Sequence, residues 1–192
     1  MKLFSALLCG AVLTGCGSSN AKSQDSEEKA EEAGSKVLVA YFSATGTTKA
    51  VAEKLAKDAN ATLFEIEPVQ PYSEADLNWK DEKSRSSVEM KDKENSRPEI
   101  KNKVPDFEKY DVVFVGFPIW WYTCPTIINS FLESYDWKGK TIIPFATSGG
   151  SPIEPCIADM EKSAPGATIK DAKLLNNESD TAIQTWEESV LK

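Results

Sequence analysis

Val37-Leu38-Val39-Ala40-Tyr41-Phe42 runs directly into Ser43-Ala44-Thr45-Gly46-Thr47-Thr48, and that loop runs directly into Lys49-Ala50-Val51-Ala52-Glu53-Lys54-Leu55-Ala56. The first run is almost wholly apolar, with β-branched and aromatic residues, which reads as a strand buried on both faces of a parallel sheet. The last has Val51, Leu55 and alanines on one stripe, which reads as a helix over 47–60. A strand that passes through a hydroxyl-rich loop into a helix N-terminus makes an anion site. Free backbone N–H groups and hydroxyls converge there, and the helix dipole favours negative charge. The loop contains no Arg or Lys, so a phosphate would be held by neutral donors. An ordinary capped Ser/Thr turn is the competing reading. The pattern lacks the second glycine and the lysine of a P-loop and the three glycines of a dinucleotide fingerprint. It also lacks acidic residues at the strand end, which a phospho-acceptor receiver would want.

Working outward, strands and helices alternate. Residues 62–67 alternate in polarity and read as a second strand ended by Pro68. Residues 110–116 and 139–146 read as further buried strands, and 167–175 as a weaker fifth. Helices are expected over 125–134, 152–162 and 179–191. Residues 69–105 are highly charged with few apolar positions and read as a surface insertion with one or two helices. One begins at Ser73-Glu74-Ala75-Asp76, a capping-box pattern with Asp in the last place. Its charge reads as a solvated face. The class is α/β with an open parallel sheet and helices on both faces.

Before this domain, Lys2 precedes a short apolar run, Leu3 to Leu13, too short to span a bilayer as an ordinary helix. The run ends in Leu13-Thr14-Gly15-Cys16, which resembles a bacterial lipobox. Residues 1–15 therefore read as a signal peptide and Cys16 as the lipidated N-terminus. Residues 16–34 carry no large apolar residue and read as a flexible tether. Residues 35–192 form the folded domain. The expected location is a bacterial membrane, extracytoplasmic and lipid-anchored, because multiply acylated anchors hold firmly.

Net charge is −8, and loss of residues 1–15 removes Lys2 alone to leave −9. An acidic domain argues against nucleic-acid partners. The absence of His excludes His-based acid–base catalysis and most catalytic zinc sites. Cys124 and Cys156 are the only thiols of the domain, and their spacing matches no metal motif, so no metal site is expected. They follow two loops expected side by side, where a bridge needs Cα atoms within about 7 Å. A disulfide and two buried thiols are both open.

Two more loops after strands carry chemistry. Phe117-Pro118-Ile119-Trp120-Trp121-Tyr122-Thr123-Cys124-Pro125 holds three consecutive large aromatics, which suit a planar ligand by stacking or, alternatively, a hydrophobic plug. Thr147-Ser148-Gly149-Gly150-Ser151-Pro152 has two glycines that let backbone approach a ligand closely. All three loops lie at the carboxyl edge of the sheet, where open α/β sheets bind ligands.

Together the three loops resemble those of the flavodoxins over about residues 36–190. The phosphate loop of that family, [ST]-x-T-G-x-T, matches Ser43, Thr45, Gly46 and Thr48. The Pro118–Trp121 and Thr147–Ser151 segments look like the two flavin-ring loops of a flavodoxin-like subgroup, as does Arg97-Pro98-Glu99-Ile100 before the third strand. The resemblance implies a five-stranded sheet of order 2-1-3-4-5 and non-covalent FMN. By it, Ser43, Thr45, Gly46, Thr47 and Thr48 take the 5′-phosphate. Pro118, Ile119, Trp120 and Trp121 border the isoalloxazine, and Thr147, Ser148, Gly149 and Gly150 close its pyrimidine side. No residue is expected to be catalytic in its own right. Two features depart from the family: an exported chain, and an insertion after the second strand where long-chain flavodoxins interrupt the fifth. The function expected first is electron transfer with a redox protein or a small-molecule donor or acceptor. An NAD(P)H-dependent quinone or flavin reductase comes second, and a lipoprotein binding a ligand or partner without redox turnover third.

Overall fold

The computed structural model describes residues 37–192. The signal segment, Cys16 and the tether lie outside the described residues. Among the described residues, no helix is long and apolar enough to cross a membrane.

Strand β1 (Val37–Tyr41) is buried along its whole length. It lies between β2 (Thr62–Glu65) and β3 (Val112–Pro118), and β3 pairs in turn with β4 (Thr141–Thr147), all parallel. The edge beyond β4 is built from two short pieces, β5 (Thr168–Ile169) and β6 (Lys173–Leu174), both parallel to β4. The order β2-β1-β3-β4-β5 is the one expected.

The single fifth strand expected over 167–175 is thus divided, and Pro144 accounts for the division. The carbonyls of Lys140, Ile142 and Ala146 accept N–H groups from the edge pieces, so even-numbered residues of β4 face that edge. Pro144 shares their parity and has no N–H to give. Opposite it the edge strand bulges. Thr141 pairs with Thr168 but Phe145 with Lys173, so one extra residue sits between the pieces. Asp171 takes φ 55° within that bulge.

Alternate strand residues feed two cores. Leu38, Ala40, Val113, Val115 and Phe117 join α3 (Thr126–Leu132) and α4 (Glu154–Ser163) on one face. Val37, Val39, Tyr41, Phe114, Ile143 and Phe145 join α1 (Thr47–Asp58) and α5 (Asp180–Val190) on the other. Each fully buried aliphatic side chain contributes roughly 1.5–3 kcal/mol by leaving water. This period-2 sorting into two layers makes the run at 37–42 near-continuously apolar.

The insertion holds one helix, α2 (Arg85–Lys91), capped by Ser84. The capping box forms: the Ser73 N–H donates to Asp76 Oδ2 at 2.8 Å, and the Asp76 N–H to Ser73 Oγ at 3.2 Å. Only one turn follows, because Asn78 and Asp81 soon draw the backbone into local turns of their own. Arg97 closes the insertion with a two-pronged pair to Glu133 of the α3 carboxyl end, at 2.8 and 2.9 Å. Pro68 and Ile100 bridge the two ends of the segment.

Candidate functional site at the carboxyl edge of the sheet

Parallel register brings the three loops to one edge. Tyr41 lies beside Gly116, and Pro118 beside Thr147. The ladder continues past the strands: the Phe42 N–H donates to the Gly116 carbonyl and the Ile119 N–H to the Thr147 carbonyl, both at 2.9 Å. A cavity of about 450 Å³ opens there. None of its lining residues carries a charge.

In the first loop, Gly46 takes φ 89° at the head of α1, a conformation only glycine adopts freely. The Gly46 N–H donates to Ser43 Oγ at 3.1 Å, so Ser43 braces the turn from behind. The helix end itself has no side-chain cap and no acidic residue in its first turn. Its leading N–H groups therefore lack intrahelical acceptors. Thr45 and Thr48 line the cavity. Thr48 is buried, and its hydroxyl lies 2.9 Å from that of Thr147, which ties the first loop to the third. Lys49 Nζ is turned to Glu65 at 3.2 Å.

The second loop lines the cavity with Pro118, Ile119, Trp120 and Trp121, all four of the expected residues, and adds Tyr122. Trp120 and Thr123 exchange backbone hydrogen bonds of 2.9 and 3.0 Å around Trp121 and Tyr122. Those two residues take φ 45° and 65°. This is a type I′ turn in which Trp-Tyr stands where Asn-Gly is usual. Trp120 packs edge-to-face on Phe42 and Tyr72, with centroids 5.7 and 5.4 Å away. Behind the turn, Thr123 Oγ1 donates to Asp159 at 2.7 Å, and Lys93 Nζ reaches the same carboxylate at 2.7 Å. Burial opposes ionisation of Asp159, but the Lys93 ammonium, the Thr123 hydroxyl and Lys162 outweigh it and hold the carboxyl below its usual range.

The third loop is braced rather than open. Ser148 Oγ accepts the N–H groups of Gly150 and Ser151 at 3.0 and 2.7 Å. The Asn176 amide pairs with both the N–H and the carbonyl of Ser148 at 2.9 Å. Of this loop it is Ser151 that lines the cavity; Thr147, Ser148, Gly149 and Gly150 are not among its lining residues. Added Cβ atoms at Gly149 and Gly150 would meet nothing within 4 Å, so their backbone is open to approach.

Leu77, Trp79 and Ser86 of the insertion also line the cavity, and loop motifs did not point to them. The signal available was Trp79 itself, a lone tryptophan in a charged stretch. Cys124 and Cys156 are free and buried. Burial first, then neighbouring negative charge, pushes each thiol up to about 12. Among the described residues, no three His, Cys, Asp or Glu side chains gather as a metal site.

No curated protein matches this chain. The family model described as Flavodoxin matches residues 36–190. A crystal structure from Bacteroides eggerthii DSM 20697, described as a candidate flavoprotein, is 49% identical with TM-score 0.77, over 82% of this chain and 99% of that one. A second, from Bacteroides uniformis ATCC 8492 and described likewise, is 46% identical with TM-score 0.76, over 81% of this chain and 99% of that one. A flavoprotein from Lactobacillus acidophilus NCFM, solved in complex with FMN, is similar in fold at 23% identity and TM-score 0.59, over 79% of this chain and 98% of that one. With the family model covering the whole sheet and all three loops, the chain belongs to the flavodoxin family.

Proposed function

We propose that this protein binds FMN at the carboxyl edge of its sheet and carries electrons while tethered to a bacterial membrane through Cys16. The observation that carries the proposal is the meeting, in one uncharged cavity, of aromatic walls with the uncapped amino end of α1. The donor set fits the cofactor. Thr45, Thr47, Thr48 and the first-turn N–H groups of α1 supply neutral donors to a phosphate, aided by the helix dipole. Pro118 to Trp121 border the ring system, and Gly149 and Gly150 offer backbone without side-chain obstruction. The FMN complex of the Lactobacillus flavoprotein lends support on a related fold.

Bound flavin supplies the redox chemistry, and the protein sets its access and potential. Ser43 holds the phosphate loop, and the Thr48–Thr147 pair holds the phosphate loop against the third loop. The aromatic turn excludes water from the ring, which strengthens the influence of every nearby charge. The first loop carries one glycine where a dinucleotide fingerprint has three, and for that reason the reductase reading comes second.

The assignment is tested by titrating flavin fluorescence with wild type and Thr45→Ala. FMN should bind the variant about ten- to a hundredfold more weakly, the worth of one charge-assisted hydrogen bond. Riboflavin, which lacks the phosphate, should change far less. Equal losses for both flavins would contradict the phosphate assignment.

A further inference from the structure

The charged insertion reaches the aromatic cavity, and it is not loosely hung. Tyr72 packs edge-to-face on Phe42 and Trp120, with centroids 5.6 and 5.4 Å away. Its hydroxyl donates to Glu89 at 2.6 Å, and Arg85 Nε donates to the same carboxylate at 2.6 Å. The Arg85 guanidinium lies 4.0 Å over the Tyr72 ring and donates to the Gln70 carbonyl at 2.6 Å. Burial, with the hydrogen bond to Glu89 and its charge, pushes the Tyr72 hydroxyl well above its usual range, so it stays a donor. The segment is thus clamped to the base of the second loop by a partly buried, mutually satisfied group.

From this clamp the chain presents Trp79 to the cavity while leaving it 69% exposed. A single exposed apolar ring needs no explanation by itself. This one lines a cavity whose other aromatic residues, Trp120 to Tyr122, all come from the second loop. The third loop, residues 147–152, contains no aromatic residue. Its wall is therefore small and polar, and a second ring-stacking surface has one remaining source. Lys80 Nζ sits 5.3 Å from the Trp79 ring centroid and braces it by a cation–π contact.

Resting on the FMN reading above, we infer that the insertion is part of the flavin site and that Trp79 is its outer aromatic wall, against which the isoalloxazine packs. Residues 69–105 then serve to complete the pocket, and stacking on Trp79 buries a ring that water otherwise covers.

The test is a fluorescence titration of the full chain with FMN and with riboflavin. Trp79→Ala should raise the Kd for both flavins about ten- to a hundredfold and alike, because the ring system is common to both. Trp79→Phe should recover most of the affinity. Val88→Ala, exposed on α2 and outside the cavity, should leave both Kd values within about twofold of wild type. A wild type that binds FMN, with Trp79→Ala unchanged for both flavins, would overturn the role of Trp79 and leave the FMN assignment standing. A loss confined to FMN would overturn it too, by moving Trp79 to the phosphate. A wild type that binds neither flavin would remove the FMN assignment itself.

Discussion

Trp121 and Tyr122 hold left-handed backbone that bulky residues rarely adopt, at a cost of order 1–3 kcal/mol each. Strain of that size persists only where surroundings overdetermine the turn. Here Thr123 is fastened to Asp159, and Cys124 is buried directly after it. The turn keeps two large rings, 43% and 67% exposed, at the cavity mouth. Elsewhere at this scale, Glu187 sits in the α1–α5 core with 3% exposure. Burial first, then Asp58 and Glu188, raises its carboxyl above the usual range. The fold therefore favours the protonated form. The stability this confers is fully present below the unfolded value of about 4.3 and is lost as pH rises through the raised folded value. Glu187→Gln should raise Tm at pH 7–8, with the gain shrinking toward pH 4. A pH-independent difference in thermal melts would count against it. Glu133 has the opposite sign: Arg97 holds its carboxyl low, so its contribution is present above the unfolded value and fades as pH falls.

At the scale of elements, β3 and β4 position the site, and Gly116 is where they fit most tightly. A Cβ there would stand 2.1 Å from the Phe145 ring, which lies fully buried across the gap. Gly116→Ala should cost about 1–3 kcal/mol by overpacking. Tm should fall by several degrees, at about 2–4 °C per kcal/mol for a domain of this size. An unchanged Tm in calorimetry would show that the sheet absorbs the methyl group without strain. Much of this architecture was legible in the sequence, because strands buried on both faces read as apolar runs and the helices carry apolar stripes. The split edge strand was not. It depends on which neighbour Pro144 faces, a matter of pairing register rather than composition. The insertion was legible as an insertion, but a capping box at Ser73 announced a helix that ends after one turn. In the site, Trp120 and Trp121 were legible because exposed aromatics are conspicuous. Ser151 was not: Ser148 takes up the N–H groups of the loop and leaves the wall to its neighbour.

At the scale of the whole molecule, net charge and the proposed anchor are the two features to test. If Cys16 carries the lipid, Cys16→Ala should release the protein from membranes or leave it unprocessed, and unchanged partition in detergent phase separation would exclude that anchor. The charge of −8 and the uncharged cavity act together on a bound flavin. No lining residue offsets an added negative charge, and aromatic walls keep out the water that would solvate it. One charge at about 10 Å, with an effective dielectric near 40, is worth about 0.8 kcal/mol before salt screens it. Lys80, beside the Trp79 ring, acts against this, while the net charge and the uncharged lining act together: accumulation of the second electron is disfavoured. The most direct measurement is a spectroelectrochemical titration of the FMN-loaded protein. The second one-electron step should lie at a more negative potential than in free FMN, as a low-potential carrier requires. A second step at or above the free-flavin value, together with rapid oxidation of NADH or NADPH, would contradict the carrier and identify a reductase instead.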